Sequence, residues 1–123
     1  MPRLIVSIII ILLSLFFSCE EKKDYQKLIG KWVRPDGGYT LEITAVNEPQ
    51  ITAGYYNPGK INISNAEIRK VNDKEEIYIE FFDTNYMGSY YKLIFDQNRD
   101  QLIGTYYQAT LKQTYNIYFV KMK

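Results

Sequence analysis

The heptapeptide YTLEITA, residues 39–45, alternates apolar and polar side chains at every position. A period of two is typical of a β-strand with one buried face. The same alternation recurs in ITAGYY, residues 51–56, and in IYIEFF, residues 77–82. Residues 89–95, 101–108 and 115–121 are rich in tyrosine and β-branched residues, which strands favour. No stretch after residue 30 has the period of an amphipathic helix, so the sequence predicts an all-β domain.

Turn sequences divide this pattern into eight strands. Residues 57–60, NPGK, place proline and glycine as a type II turn requires, and residues 35–38, PDGG, are a similar turn. Eight short strands with tight, regular turns favour an antiparallel up-and-down barrel, with a β-sandwich as the alternative. The strands are expected near residues 31–34, 39–46, 50–56, 61–71, 76–83, 89–96, 101–108 and 115–121, with a break in the fourth at Ser64 and Asn65.

Three Tyr-Tyr pairs follow closely after a glycine, and each lies within a predicted strand. They are residues 55–56, 90–91 and 106–107. Because neighbouring residues of a strand face opposite ways, each pair should place one ring inside the barrel and one outside. The glycines should leave room for a ring or for a bend of the closing sheet.

The amino terminus carries a short apolar segment. Residues 4–17 are apolar apart from two serines, and they follow Arg3. A bilayer span needs about 20 apolar residues, so this length is typical of a signal peptide. Ser18 and Cys19 then precede the charged run EEKKD. The arrangement resembles the lipobox of bacterial lipoproteins, which implies cleavage before Cys19 and lipidation of its thiol; an uncleaved, short membrane helix is the alternative.

This resemblance divides the chain into three parts. Residues 1–18 would be the signal peptide, residues 19–29 the lipidated cysteine with a polar tether, and residues 30–123 the barrel domain. We therefore expect a protein of the cell envelope, held in the membrane by the lipid on Cys19. The membrane leaflet and the degree of surface display stay open.

The composition excludes several classes of function. Arg3 is the only charged residue before Cys19, so the remaining chain has as many basic as acidic residues, 14 of each. Nucleic-acid binding needs a basic stripe, and none is present. The chain has no histidine and one cysteine, which excludes zinc sites, Cys–His catalysis and internal disulfides. We expect no cofactor, no metal site and no enzymatic activity.

Gly30-Lys31-Trp32 opens the first predicted strand after a short turn. This tripeptide resembles the Gly-x-Trp signature of lipocalins and their avidin-like relatives. The resemblance implies that Trp32 plugs the closed end of the barrel, with a basic residue of the last strand, Lys121, lying across it. Longer strings, among them WVRPDGGYTLEI and FFDTNYMGSYYKLIFD, resemble a family of small uncharacterised bacterial proteins, which implies no activity.

Alternate turns of an up-and-down barrel lie at the same end. Trp32 and Lys121 should therefore lie opposite the turns PDGG, NPGK, TNYMG and ATLKQT, which would form a mouth that faces away from the membrane. Eight-stranded barrels are either filled by their own side chains or hold one small ligand. We expect a small ligand at a tyrosine-rich mouth; the alternative is a filled barrel that acts as a protein-interaction module. The candidate ligand-binding residues are Asp36, Tyr56, Asn57, Asp83, Asn85, Tyr86 and Tyr90.

Overall fold

A computed structural model describes residues 22–123 of the chain. The signal segment and the lipidation site Cys19 lie outside the described residues, so both stay predictions. A 3-10 turn, Tyr25–Leu28, precedes nine strands. The strands are β1 Gly30–Val33, β2 Thr40–Asn47, β3 Gln50–Tyr56, β4 Lys60–Ile61, β5 Ile63–Val71, β6 Lys74–Phe81, β7 Tyr90–Asp96, β8 Gln101–Gln108 and β9 Gln113–Lys121.

The strands form one closed, antiparallel sheet. Eight of them run β2-β1-β9-β8-β7-β6-β5-β3, and β3 pairs back onto β2. β4 lies outside this ring and pairs with β3 alone, through Tyr55 opposite Ile61 and Tyr56 opposite Lys60. The predicted eight-stranded antiparallel barrel is therefore confirmed, with one short additional strand.

The predicted break in the fourth strand is wrong by two residues. The chain leaves the sheet at Asn62, between β4 and β5, rather than at Ser64 and Asn65. The backbone N–H and the side-chain amide of Asn62 both donate to the carboxylate of Asp83, each at 2.8 Å. These bonds direct Asn62 towards the β6–β7 loop, which accounts for the interruption. At Ser64 the structure shows an irregular register against β6.

Each Tyr-Tyr pair divides between the two faces of the sheet. Tyr55, Tyr91 and Tyr106 belong to the buried core inside the barrel. Their neighbours Tyr56, Tyr90 and Tyr107 project outwards, as the alternation of a strand requires. On the outer surface the Tyr90 ring lies 5.1 Å from Tyr107 and 5.4 Å from Tyr78, measured between ring centroids.

Gly104 lets β8 lie close to β7. A Cβ atom at this position would be 1.9 Å from the carbonyl oxygen of Lys92, a distance that only glycine avoids. Gly104 is opposite Leu93 in β7 and Ile117 in β9, two core residues. The missing side chain therefore brings three strands together around the core.

One end of the barrel is closed by the turn before β1. Trp32 is fully buried, and its indole N–H donates to the carbonyl of Leu28 at 2.8 Å. Lys121 is opposite Trp32 in the β1–β9 register. Its Nζ lies 5.5 Å from the centroid of the Trp32 ring and donates to the carbonyl of Lys27 at 2.8 Å. Phe95 meets the same indole edge-on at 6.0 Å. We call this group the closed end.

Candidate ligand-binding site

The opposite end contains a buried arginine that sequence reasoning did not select. Arg34 directly follows β1 and is only 8% exposed. Its Nε donates to Oδ1 of Asp36 at 2.9 Å and its Nη2 to Oδ2 at 2.6 Å. This is a two-point pairing of guanidinium with carboxylate, the strongest geometry available to an ion pair. The turn at residues 34–38 thus supplies both partners.

A chain of hydrogen bonds continues from Arg34 into the core. Its Nη1 donates to the hydroxyl of Tyr91 at 2.9 Å, and that hydroxyl lies 2.7 Å from the hydroxyl of Tyr55. The two tyrosines come from β7 and β3, which are separated in the ring by β6 and β5. We call Asp36, Arg34, Tyr91 and Tyr55 the polar network.

Burial changes the protonation behaviour of this polar network. It raises the pKa of Tyr91 to about 12 and raises that of Tyr55 further, because neither phenolate would be solvated. Burial alone would lower the pKa of Arg34, but its bonds to Asp36 and Tyr91 hold it above the usual value. The bonds from Arg34 lower the pKa of Asp36. At neutral pH the network therefore contains one cation, one anion and two neutral phenols.

Aromatic rings surround the guanidinium. Its central carbon lies 4.4 Å from the centroid of the Tyr39 ring, 5.7 Å from Tyr106 and 5.9 Å from Tyr91. Distances below about 6 Å give favourable cation–π attraction, which is larger at a desolvated site. Tyr39 is also nearly parallel to Tyr55, with ring centroids 6.2 Å apart. These rings hold Arg34 in one position.

A cavity of about 560 Å³ opens above the polar network. This volume lies within the range of small-molecule sites in proteins. We call it the mouth cavity. Its lining combines the turn after β1, the loop between β6 and β7, and the facing parts of β3, β8 and β9: Arg34, Asp36, Tyr39, Tyr55, Asn85, Tyr86, Tyr106, Gln108, Thr110 and Tyr115.

Three of the seven candidate ligand-binding residues line this cavity, namely Asp36, Asn85 and Tyr86. Asn57 stands next to them, since its side-chain amide donates to the hydroxyl of Tyr86 at 3.1 Å. This bond joins the β3–β4 turn to the β6–β7 loop. The mouth turns that the sequence groups together therefore meet around one cavity.

The other three candidates lie away from the cavity. Asp83 accepts the two hydrogen bonds from Asn62, between β4 and β5. These bonds lower the pKa of the Asp83 carboxyl group and hold its side chain against Asn62. Tyr56 and Tyr90 project from the outer surface. In each pair, the neighbouring tyrosine, Tyr55 or Tyr91, takes part in the polar network.

The alternation of side chains along each strand indicates that Arg34 and Tyr55, which were not among the candidates, face the inside of the barrel. Arg34 is two positions after Trp32, so both side chains belong to the same face of the strand. Tyr55 likewise continues the inward series of Ile51 and Ala53. A charged residue at the end of a strand is typical of an exposed position, however, so the alternation alone does not indicate that Arg34 is buried.

Residues 22–123 contain neither a membrane-spanning helix nor a cluster of metal-ligating side chains. None of the helical structure there is long and apolar enough to cross a membrane. Within the same residues, no three acidic or cysteine side chains are placed together so that they could hold a metal ion.

The chain was also compared with known proteins. No protein-family model, curated protein or solved structure matches it. The resemblances to lipoproteins, to lipocalins and avidins, and to the small bacterial family therefore stay predictions.

Proposed function

We propose that this protein is a non-enzymatic binding protein of the cell envelope, anchored by a lipid on Cys19, that captures a small ligand in the mouth cavity. The observation that carries the proposal is the cavity of about 560 Å³ with the buried Arg34 at its floor. Ion pairing and ring contacts already fix the guanidinium, so a ligand would meet a preorganised group. Preorganisation favours affinity because little side-chain freedom is lost on binding.

The position of the tether agrees with this proposal. The side-chain amide of Gln97, in the β7–β8 turn, donates to the carbonyl of Lys22 at 3.0 Å, and its oxygen accepts from the N–H of Asp24 at 2.8 Å. This turn is at the closed end of the barrel. A lipid on Cys19 would therefore hold the closed end near the membrane and leave the mouth cavity facing outwards.

The acidic residues support a non-enzymatic role. Asp36 and Asp83 are the two carboxylates among the candidate ligand-binding residues of the mouth. Acid–base catalysis by two carboxylates needs their pKa values to differ, so that one keeps its proton. Here hydrogen bonds from Arg34 lower the pKa of Asp36, and bonds from Asn62 lower that of Asp83. Both groups are ionised at neutral pH, and both already have partners.

Native mass spectrometry tests the binding proposal. The protein would be extracted gently from membranes of its original host, and its mass compared with that of the same protein after denaturation. We expect a small additional mass that is lost on denaturation. A matched preparation of Asn85→Ala, which alters the cavity lining, should retain less of it. If neither the wild-type protein nor the Asn85→Ala variant carries an additional mass under native conditions, the proposal is contradicted.

The anchor has its own test, the substitution Cys19→Ala. Without the thiol no lipid can be attached, so the variant should leave the membrane fraction or remain uncleaved. Membrane fractionation and the intact mass measure the two effects. An unchanged mass and an unchanged membrane fraction would show that the lipobox interpretation is wrong.

A second candidate function is supported by the outer surface. Ile94, Ile103 and Tyr118 are neighbours across β7, β8 and β9 and are 45%, 42% and 46% exposed. Exposed apolar rows of this kind often mark protein contacts. If this row is the functional surface, Ile103→Lys should abolish co-purification of a partner protein, whereas Asn85→Ala should not. The reverse result would favour the mouth cavity.

A further inference from the structure

The lining of the mouth cavity limits the chemistry of its ligand. Among the residues that the structure describes, five tyrosines line it together with one threonine, two amides, one carboxylate and one guanidinium, and no Ala, Val, Leu, Ile or Met does so. A fatty acyl chain or a similar apolar ligand would cover these polar groups without offering them hydrogen bonds, which is unfavourable. The ligand must therefore carry polar groups of its own.

The charges of the lining cancel. Arg34 and Asp36 are its two charged residues, and they are paired to each other at 2.6 and 2.9 Å. An anionic ligand that approached Arg34 would come close to the Asp36 carboxylate, and a cationic ligand that approached Asp36 would come close to the guanidinium. To pair with one of these residues, a ligand of either charge would have to break the ion pair between Arg34 and Asp36, which would leave the other residue without its counter-ion. A neutral ligand keeps the pair intact.

The remaining groups suit a ring with several hydroxyl groups. Side-chain amides at Asn85 and Gln108 and the hydroxyl of Thr110 each offer both donors and acceptors at the rim. Alcohol hydroxyls also donate and accept, so they match such groups in either direction. The tyrosine rings provide flat apolar faces against which the C–H faces of a ring can pack. One ligand would use both kinds of contact.

Building on the proposed function, we infer that the mouth cavity binds a neutral saccharide unit, with its ring against the tyrosines and its hydroxyls at Asn85, Gln108 and the Arg34–Asp36 pair. The lack of net charge in the lining distinguishes this from binding of an acid, and the polar rim distinguishes it from binding of a lipid.

Titration calorimetry of the full chain tests the inference, in a detergent without a sugar headgroup so that the detergent does not compete. The probes are maltose, cellobiose and diacetylchitobiose, with glucose and glucuronic acid as a pair that differs by one carboxylate. We expect saturable binding of at least one neutral disaccharide, and weaker binding of glucuronic acid than of glucose. Adenosine and oleate serve as aromatic and apolar comparisons.

Variants locate the binding and test the charge argument. Asn85→Ala and Gln108→Ala should each lower the affinity for the saccharide by roughly two- to tenfold, the loss expected for one hydrogen bond. Asn116→Ala, an amide on the outer surface, should leave binding unchanged. Asp36→Asn removes the charge that cancels Arg34, so it should reduce the preference for glucose over glucuronic acid. Equal weakening by Asn116→Ala would overturn the assignment of the site.

Two results would overturn the choice of ligand. One is that none of the neutral saccharides binds, and the other is that glucuronic acid, adenosine or oleate binds more tightly than all of them. Native mass spectrometry separates this failure from failure of the proposed function. A bound small molecule of another class would contradict the saccharide inference but support the proposed binding function. The absence of any bound ligand would contradict both.

Discussion

The closed end and the mouth of this barrel are both built from aromatic rings, but only the mouth surrounds its rings with buried polar groups. At the closed end, Trp32 packs against Phe95 and makes one hydrogen bond, to the carbonyl of Leu28. At the mouth, Tyr55 and Tyr91 are bonded to each other, and Tyr91 to Arg34. Apolar packing can fill space completely, whereas a polar network must keep specific distances and angles. The difference explains how one short barrel can be filled at one end and open at the other.

This comparison also separates stability from binding. Residues of the closed end contact the core and the incoming chain, and none of them lines the mouth cavity. In the polar network, Arg34, Asp36 and Tyr55 line the cavity, and Tyr55 and Tyr91 belong to the core. Substitutions at the closed end should therefore change stability alone, and substitutions in the polar network should change both properties.

The largest effect is expected for Trp32→Ala at the closed end. Truncation of a buried aromatic residue leaves a cavity and should lower the free energy of unfolding by about 3–5 kcal/mol. Urea denaturation followed by tyrosine fluorescence measures it. Tyr118→Ala, at an exposed aromatic residue of the outer surface, is the control and should cost much less. A loss under about 1 kcal/mol for Trp32→Ala would argue against its role as the plug.

A smaller effect is expected for Tyr91→Phe in the polar network. The change removes only one hydroxyl, but it leaves both the Arg34 guanidinium and the Tyr55 hydroxyl without that partner inside the barrel. When a buried polar group loses its hydrogen-bond partner, the free energy of unfolding falls by about 1–3 kcal/mol. Ligand binding should weaken as well, unlike in Trp32→Ala.

Tyr90→Phe is the matched control for this substitution. It removes the same hydroxyl from the neighbouring tyrosine, whose ring lies on the outer surface against Tyr78 and Tyr107. Surface changes usually stay within about 0.5 kcal/mol. Equal losses for both variants would show that the hydroxyl of Tyr91 has no special role in the network.

The smallest effect is expected for Asp36→Asn, and it depends on pH. Because the folded pKa of Asp36 lies below its usual value of 3.8, its ionised form stabilises the fold above that pH. The contribution is lost as the pH falls through the lower, folded pKa. The carboxylate is largely exposed, so about 1 kcal/mol or less is expected near neutral pH.

Denaturation of both proteins at several pH values checks this prediction. Wild type should be more stable than Asp36→Asn at pH 6, and the difference should shrink below pH 3.8. A difference that stays constant down to pH 2 would show that the charge of Asp36 does not stabilise the Arg34 turn.

Much of the fold could be predicted because the signal is local. The alternation in residues 39–45 and 51–56 predicted β2 and β3 to within one residue, and turn residues such as those at 57–60 located the hairpins. The break at Asn62 could not be predicted, because it depends on hydrogen bonds to Asp83, which is distant in sequence. Local patterns contain no information about such a partner.

The candidate site was predicted only in part. Turn sequence and barrel topology together were enough to bring Asp36, Asn85 and Tyr86 to one end. The alternation also predicts that one tyrosine of each pair faces inwards, but it does not indicate which of the two, and the predicted residues Tyr56 and Tyr90 face outwards. The structure places Tyr55 and Tyr91 inside, on the same face as Ala53, which packs against the core, and Leu93, which belongs to it.

The sequence by itself determined an all-β domain of short antiparallel strands, the alternation of tyrosines between the two faces of its sheet, and a chain without the histidine that many catalytic and metal sites need. These properties follow from residue type and from a period of two along each strand. Only the tertiary structure decided that Arg34 is buried, that Asp36 and not Asp83 pairs with it, and that a cavity remains above them. The physical reason is that burial of a charge becomes favourable only when partners from several distant strands surround it. Two of the partners, Tyr91 in β7 and Tyr106 in β8, meet Arg34 only after the barrel has closed.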